Sequence, residues 1–149
     1  MLIGQYYTKI NNKGRTALPV KFRKELGEKL IVCRWYENSL ALFAQISWER
    51  VIDVAVGESL LISQTRDTER FLLGGAFEIE PDSQGRIVLP QALRIHAKLE
   101  EEVVFIGLKD RVEIWDKGLW EIRDREITTG AGKLIEEVQK LKLKGARRQ

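Results

Sequence analysis

The sequence has very little of the residue types that most enzymes and metal sites use. It contains one cysteine, Cys33, and one histidine, His96, in 149 residues. A single cysteine excludes a disulfide within the chain, and one Cys with one His is too few for the usual zinc ligand sets. The stretch NKGRT lacks the spaced glycines and the terminal Lys-Ser/Thr of a phosphate-binding loop. We therefore expect no catalytic residue, no metal and no cofactor.

Long apolar runs are also missing. No stretch approaches the ~20 residues that a membrane-spanning helix needs, and the opening MLIGQYYTKI lacks the apolar core of a signal peptide. The lone cysteine suits a reducing compartment. With 44% hydrophobic and 32% charged residues, the composition is typical of a globular domain. We expect a cytosolic protein with no membrane partner and no small-molecule substrate.

The charge that is present is unevenly distributed. The net charge is +3, yet residues 133–149 alone carry six Lys/Arg against two Glu, a local +4, so the rest of the chain sums to −1. A second cluster, without any acidic residue, consists of Lys9, Lys13, Arg15, Lys21, Arg23 and Lys24. A nearly neutral body with local basic segments favours contact with a polyanion.

An internal duplication is the strongest organisational signal. GRTALPVKFR at 14–23 returns as GRIVLPQALR at 85–94, an offset of 71 that also pairs Val32 with Val103. After one inserted residue, Trp48 aligns with Trp120 at an offset of 72. Matched glycines, prolines and tryptophans at one spacing indicate two copies of one structural unit.

Each copy predicts the same elements. A strand meets a turn ending in Gly-Arg, a short strand follows, proline opens a helix, and an apolar hairpin completes the copy. Between the copies, Ser47 is expected to cap one helix, and a second helix is expected from about Ser63. Beyond Trp120 the chain is predicted to be helical, with a break at TTGAG and a restart at Lys133, where apolar residues form one narrow stripe.

The first Gly-Arg turn combines features that suit a phosphate-rich partner. In a strand-like segment Lys13 and Arg15 would lie on one face, and Gly14 would expose its backbone N–H. Arginine could also pair with a guanine edge in the major groove. The alternative is a tight turn whose charges are simply solvated, and the turn alone does not decide between the two.

These residues carry a resemblance to the MraZ family, bacterial transcriptional regulators built from two SpoVT/AbrB-type domains. The match covers roughly residues 1–125 and includes both Gly-Arg-x-x-Leu-Pro blocks. The family motif places Asp four residues before Arg. Asp82 and Arg86 satisfy it, whereas the first copy has Asn11 before Arg15. We expect a first repeat at 1–72 with a helical insert, a second repeat at 73–125, and a helical basic tail at 126–149.

The resemblance implies an α+β fold, an AbrB-like double-split β-barrel with swapped hairpins and peripheral helices. It also implies a ring-shaped homo-oligomer that binds double-stranded DNA at short direct repeats upstream of the division and cell wall gene cluster, in the cytoplasm and associated with the nucleoid. By the same resemblance the DNA-contacting residues are Lys13, Gly14 and Arg15, with Lys9 as a flanking phosphate contact.

The second copy is more acidic than the first. From Glu78 to Arg94 its charges sum to −1. Arg86 is therefore either a structural partner of Asp82 or a further DNA contact. Arg23 and Arg94 recur at one helical position although the surrounding charge differs, which indicates a structural role for both.

Other functions fit parts of the pattern. AbrB-type folds also serve as antitoxins or protein-interaction modules, and the tryptophans could anchor an interface, although core packing explains Trp48 and Trp120 more simply. RNA binding fits the charge but lacks the aromatic pattern of an RNA-recognition motif. Cys33 is expected in the core and His96 on a helix surface.

Overall fold

A computed structural model describes residues 1–57 and 59–147 of the chain. Within these residues the eight strands are β1 (Leu2–Lys9), β2 (Arg15–Ala17), β3 (Leu30–Trp35), β4 (Ser39–Ala44), β5 (Ala76–Ile79), β6 (Arg86–Val88), β7 (Glu102–Lys109) and β8 (Val112–Asp116). The six helices are α1 (Val20–Leu26), α2 (Gln45–Val56), α3 (Ser63–Leu72), α4 (Gln91–His96), α5 (Lys117–Thr129) and α6 (Ala131–Arg147). The predicted α+β class is confirmed.

The sheets interleave the two copies. Six antiparallel strands follow the order β1-β7-β8-β4-β3-β5, while β2 pairs with β6 in a separate two-stranded ribbon. The order is palindromic in terms of the repeat, because β1, β2, β3 and β4 correspond to β5, β6, β7 and β8. The first strand of each copy thus pairs with the hairpin of the other. This exchange is the swapped-hairpin arrangement of a double-split barrel, and neither copy completes its sheet alone.

The main core lies between the large sheet, the ribbon and the short helices. The helices begin directly after Pro19 and Pro90, whose fixed φ suits entry into a helix. Phe22 and Leu93 are the fully or almost fully buried side chains of α1 and α4, and both join the same apolar cluster. Their burial fixes each helix against the strands that follow the Gly-Arg turns.

A second cluster packs α2 and α3 onto the outer face of β3 and β4. It contains Cys33, Phe43 and Trp48. Burial raises the pKa of the Cys33 thiol to about 12, so it stays protonated. The expected core positions of Cys33 and Trp48 are confirmed. Trp120 is buried as well.

Three local expectations need correction. α2 begins at Gln45 after Ala44, without a side-chain cap, so Ser47 lies inside the helix rather than before it. His96 is half-buried, with Nε2 3.0 Å from the Trp35 carbonyl oxygen, and is not a free surface residue. The predicted break at TTGAG shrinks to Gly130, because backbone hydrogen bonds continue on both of its sides.

The described residues divide into two compact units, one up to Lys117 and the other from Gly118 onward. The second unit consists of most of α5 and all of α6. Among the described residues, no helix is both long enough and apolar enough to cross a membrane.

Candidate nucleic-acid interface

The ribbon brings the two predicted arginines onto one solvent-facing surface. β2 and β6 run antiparallel, with Arg15 opposite Val88 and Arg86 opposite Ala17. The middle residue of each strand is buried, so by alternation the four outer residues face away from the core. Arg15 and Arg86 therefore lie diagonally across a narrow antiparallel ribbon, each at the strand start that follows its own Gly-Arg turn.

The first turn, residues 11–15, is held together by its asparagine. The Oδ1 atom of Asn11 accepts hydrogen bonds from the backbone N–H groups of Lys13 at 3.0 Å and Arg15 at 2.9 Å. The backbone N–H of Asn11 donates to the Arg15 carbonyl oxygen at 3.0 Å. This side-chain cap is the mechanism by which Asn stabilises turns. Lys13 lies within the turn, not in a strand as expected.

Both cations of the first turn are exposed. Within residues 1–57 and 59–147, neither Lys13 nor Arg15 forms an ion pair or donates a side-chain hydrogen bond. The cap leaves Asn11 with a neutral amide, which cannot pair with the guanidinium as an anion. The turn thus presents two charged side chains to solvent with no carboxylate drawn to them.

The second turn, residues 82–86, has the same backbone hydrogen bonds. Asp82 Oδ1 accepts from the N–H groups of Gln84 and Arg86, each at 2.9 Å. Its second oxygen, Oδ2, accepts from Arg86 Nε at 2.9 Å. The pKa of Asp82 is lowered, first by the hydrogen bond from the Arg86 backbone N–H and then also by its guanidinium. The predicted Asp82–Arg86 ion pair is present.

The turn glycines serve the fold rather than an exposed backbone. Gly14 is buried with φ +85°, and its N–H donates to the Asn11 carbonyl at 3.0 Å. A Cβ there would lie 2.7 Å from Arg94 Nε and would also meet the Leu89 carbonyl oxygen. The expectation of a free N–H at Gly14 is therefore wrong. Gly14 allows the turn to approach the other copy.

Arg23 and Arg94 lock the turns across the pseudo-two-fold axis. Arg94 donates from Nε to the Leu89 carbonyl at 3.0 Å and from Nη1 to the Asn12 carbonyl at 3.1 Å, so it reaches the opposite turn. The Arg23 guanidinium likewise fills the space where a Cβ of Gly85 would lie. Their expected structural role is confirmed.

The two turns have matching backbones but carry different side-chain charges. At the offset of 71, Lys9 corresponds to Glu80, Lys13 to Gln84, and Arg15 to Arg86. With Asn11 neutral, the first set sums to +3. The second set, with Glu80, Asp82 and Arg86, sums to −1. All of these side chains are exposed except the half-buried Arg86, so the difference lies on the surface.

Lys9 is less available than the two turn cations. It pairs in register with Glu102 across β1 and β7. The pKa of Glu102 is lowered chiefly by the hydrogen bond and charge of Lys117, whose Nζ lies 2.8 Å away, and to a smaller extent by Lys9. Lys9 therefore stands at the flank of the site beside a carboxylate.

The pairing of the two turn-strand segments is the feature that sequence reasoning missed. The sequence of each copy predicts only its own turn and strand, and it does not place Arg15 and Arg86 on one ribbon face. The exposed Val88 opposite Arg15 was missed as well. The sequence signal for this pairing is the alternation in RTA and RIV. Thr16 and Ile87 hold the same inward position in the two copies, which leaves the residues on either side of them facing outward.

Comparison with known proteins places this geometry in a family. The model of the family described as MraZ protein, antitoxin-like, matches residues 1–71 and 72–130. The transcriptional regulator MraZ of Caldanaerobacter subterraneus subsp. tengcongensis is 45% identical over 121 residues, covering 81% of this chain and 85% of that protein. The Thermoanaerobacter pseudethanolicus protein of the same name is 38% identical over 143 residues, covering 96% and 100%.

A more distant likeness is found among solved structures. The solution structure of PHS018 from Pyrococcus horikoshii is 13% identical and covers 76% of this chain and 88% of that one, with a TM-score of 0.33. That score is too low for any inference. The two segments matched by the family model and the sequence identity over most of the chain are sufficient to assign the family without this structure. The chain belongs to the MraZ family of transcriptional regulators.

Proposed function

We propose that this chain binds promoter DNA through its first turn and represses transcription by occupying that DNA, with no chemical step. The family resemblance points to short direct repeats upstream of the division and cell wall gene cluster, bound by a ring-shaped homo-oligomer in the cytoplasm. One observation carries the proposal. Lys13 and Arg15 are exposed and unpaired in the first turn, whereas the equivalent arginine of the second turn, Arg86, is paired with Asp82.

The ribbon supports a specific mode of contact. The major groove of B-DNA admits a two-stranded β-ribbon as readily as a helix. Arg15 stands at the ribbon surface, where its planar fork can pair with the two acceptors of a guanine edge. Lys13 projects from the adjoining turn and suits a phosphate, and Lys9 suits a second one at the flank. Gly14 contributes by holding the turn and not by touching DNA.

Affinity is expected to come from several copies acting together. One turn of this size reaches about two or three phosphates, which leaves binding weak and sensitive to salt. Identical turns on one oligomer raise the effective concentration of each later contact. A tandem of repeats would then be bound tightly, and a single repeat poorly. The structure offers exposed apolar side chains for self-association, with Leu60 65% and Leu61 92% exposed.

The deciding experiment is a footprint on the DNA upstream of the protein's own gene. We expect the wild-type chain to protect tandem repeats and Arg15→Ala to lose that protection. Lys29→Ala removes an exposed cation outside the turns and serves as the matched control. Unchanged protection with Arg15→Ala, or equal loss with Lys29→Ala, would contradict the proposal.

Two further measurements test the parts of the mechanism. The logarithm of DNA affinity should fall with the logarithm of salt concentration by about 0.9 per phosphate neutralised. An affinity that does not change with salt would exclude binding through phosphate contacts.

Leu61→Asp should lower the mass of the oligomer in solution, because it puts a charge at an apolar contact between copies. Ser63→Asp, an exposed polar neighbour at the start of α3, should leave the mass unchanged.

A further inference from the structure

Helix α6 exposes an apolar stripe that the DNA-binding proposal does not use. Leu134, Val138 and Leu141 are 46%, 51% and 67% exposed. Most helix stability in proteins comes from packing an apolar face rather than from helix propensity. α6 runs for 17 residues with its stripe uncovered. The stripe therefore suits a partner outside the described chain.

The spacing of the stripe is that of a coiled coil. Ile127, Leu134 and Leu141 recur every seven residues, while Ala131 and Val138 recur every seven at an offset of four. Apolar residues at these two positions form the seam along which helices pair by knobs-into-holes packing. The next seam position is Gly145, so the apolar part of the seam spans about two heptads of α6.

The charges beside the seam indicate what the partner is. Glu137 precedes the seam residue Val138, and Lys142 follows the seam residue Leu141. In a parallel two-stranded coil these two flanking positions face each other across the chains, five residues apart. Glu137 of one copy would therefore lie against Lys142 of another, and the reciprocal pair would form as well. The seam is complementary to itself.

We propose that α6 pairs in parallel with α6 of a second copy of this chain. The seam is formed by Ala131, Leu134, Val138 and Leu141, and it is bordered by two Glu137–Lys142 pairs. This contact involves two chains, and it can form whatever oligomer residues 1–117 assemble into. Two heptads alone would pair weakly. Attachment to bodies that already associate supplies the effective concentration that pairing needs.

Disulfide trapping in the full-length chain tests the pairing directly. Val138→Cys places a thiol in the seam, and Leu143→Cys places one on the far side of the same helix. Cys33 is buried and protonated, so the wild-type chain gives the background. Under mild oxidation we expect Val138→Cys to give a covalent dimer and no larger product. Leu143→Cys should remain monomeric on a non-reducing denaturing gel.

Several results would overturn the pairing. Equal dimer yields from both cysteines would indicate random collision, and no dimer from Val138→Cys would exclude a parallel seam. Sedimentation with anionic lipid vesicles that depends on Leu141 would assign the stripe to a membrane surface instead. The DNA proposal would survive each result, since it depends on Arg15 and is measured by footprinting.

A charge exchange separates pairing from mere apolar contact. Glu137→Lys should raise the concentration needed for dimer trapping roughly tenfold, because two flanking pairs change from attraction to repulsion. The double variant Glu137→Lys with Lys142→Glu should restore trapping to the level of Val138→Cys alone. Failure of the double variant to recover, with unchanged helical circular dichroism, would refute the Glu137–Lys142 pairs.

Discussion

The first and second turns share a backbone but differ in the charge they show to solvent. In each, one side-chain oxygen accepts two backbone N–H groups, and a glycine with positive φ fits against an arginine of the other copy. For the arginine itself the difference is one atom in the capping side chain; the exchanges of Lys9 for Glu80 and of Lys13 for Gln84 add to it. The amide of Asn11 leaves Arg15 unpaired, whereas the carboxylate of Asp82 holds Arg86 at 2.9 Å.

This comparison teaches that a duplicated motif can keep its structural role while its binding role diverges. The turn geometry depends on an acceptor oxygen, which both Asn and Asp supply. Whether the arginine is free to contact DNA depends on the charge of that acceptor, because a negatively charged Asp pairs with the arginine and a neutral Asn does not. Because the ion pair is solvent-exposed, its contribution to stability is small, and its main consequence is to orient and neutralise Arg86.

The largest effect is expected where the turns are alike. Gly14→Ala should lower the free energy of unfolding by more than about 2 kcal/mol, because it forces a positive φ and places a Cβ against the Leu89 carbonyl oxygen and Arg94. Gly85→Ala shares the positive φ, but its Cβ meets only the Arg23 side chain, which can move, so its loss should be smaller. Gly27→Ala has the positive φ but open space around the Cβ, so its loss should be about 1 kcal/mol. Urea unfolding measures all three variants, and a loss at Gly14 no larger than that at Gly27 would contradict the close approach of the first turn to the other copy.

The next effect separates the turns. Asn11→Asp keeps the capping oxygen and supplies a carboxylate to Arg15, so Arg15 should become paired as Arg86 is, while Lys9 and Lys13 keep their charges. We expect DNA affinity to fall about tenfold, within the ~1–3 kcal/mol range of a lost arginine–base contact. Fluorescence anisotropy on a tandem-repeat duplex measures it. Asn11→Ser, neutral and able to cap, is the control and should lose less.

The reverse change should have a smaller effect in the opposite direction. Asp82→Asn frees Arg86 but leaves Glu80 and the neutral Gln84 in place, so the second turn remains less basic than the first. We expect affinity to rise about threefold, in keeping with one added electrostatic contact at an exposed site. The same anisotropy titration applies. A loss of affinity would show that the ion pair positions Arg86 for DNA.

The smallest effect is the pH response of the ion pair. The folded pKa of Asp82 is lowered, so the pair stabilises the fold above the ordinary Asp range and is lost as pH falls through the folded pKa. The difference in urea midpoint between wild type and Asp82→Asn should therefore narrow between pH 7 and pH 3. A difference that stays constant would indicate that the charge of Asp82 is irrelevant.

Much of this fold follows from the repeat pattern, but strand equivalence does not. Sequence alignment pairs Val32 with Val103. In the sheet, Tyr6 pairs with Phe105 and the equivalent Phe77 pairs with Val32, so the counterpart of Val32 is Phe105. A slip of two residues keeps every side chain on the same face, and the apolar pattern cannot detect it. The two extra residues lie between α4 and β7.

The candidate site was only partly predictable for a similar reason. The cationic residues and the Asn-for-Asp exchange are local, so Lys13, Arg15 and the Asp82–Arg86 pair could be predicted from sequence spacing. The ribbon requires pairing between segments 71 residues apart, and the burial of Gly14 depends on Arg94 from the other copy. Contacts made across the pseudo-two-fold axis leave no local signature.

The most direct test of the central claim compares Arg15→Ala with Arg86→Ala on one tandem-repeat duplex at fixed salt. The neutralised second turn predicts a loss of at least tenfold for Arg15→Ala and less than about threefold for Arg86→Ala. Equal losses at the two positions would contradict the claim that the charge difference between the turns, with the Asp82–Arg86 pair at its centre, decides which turn binds DNA.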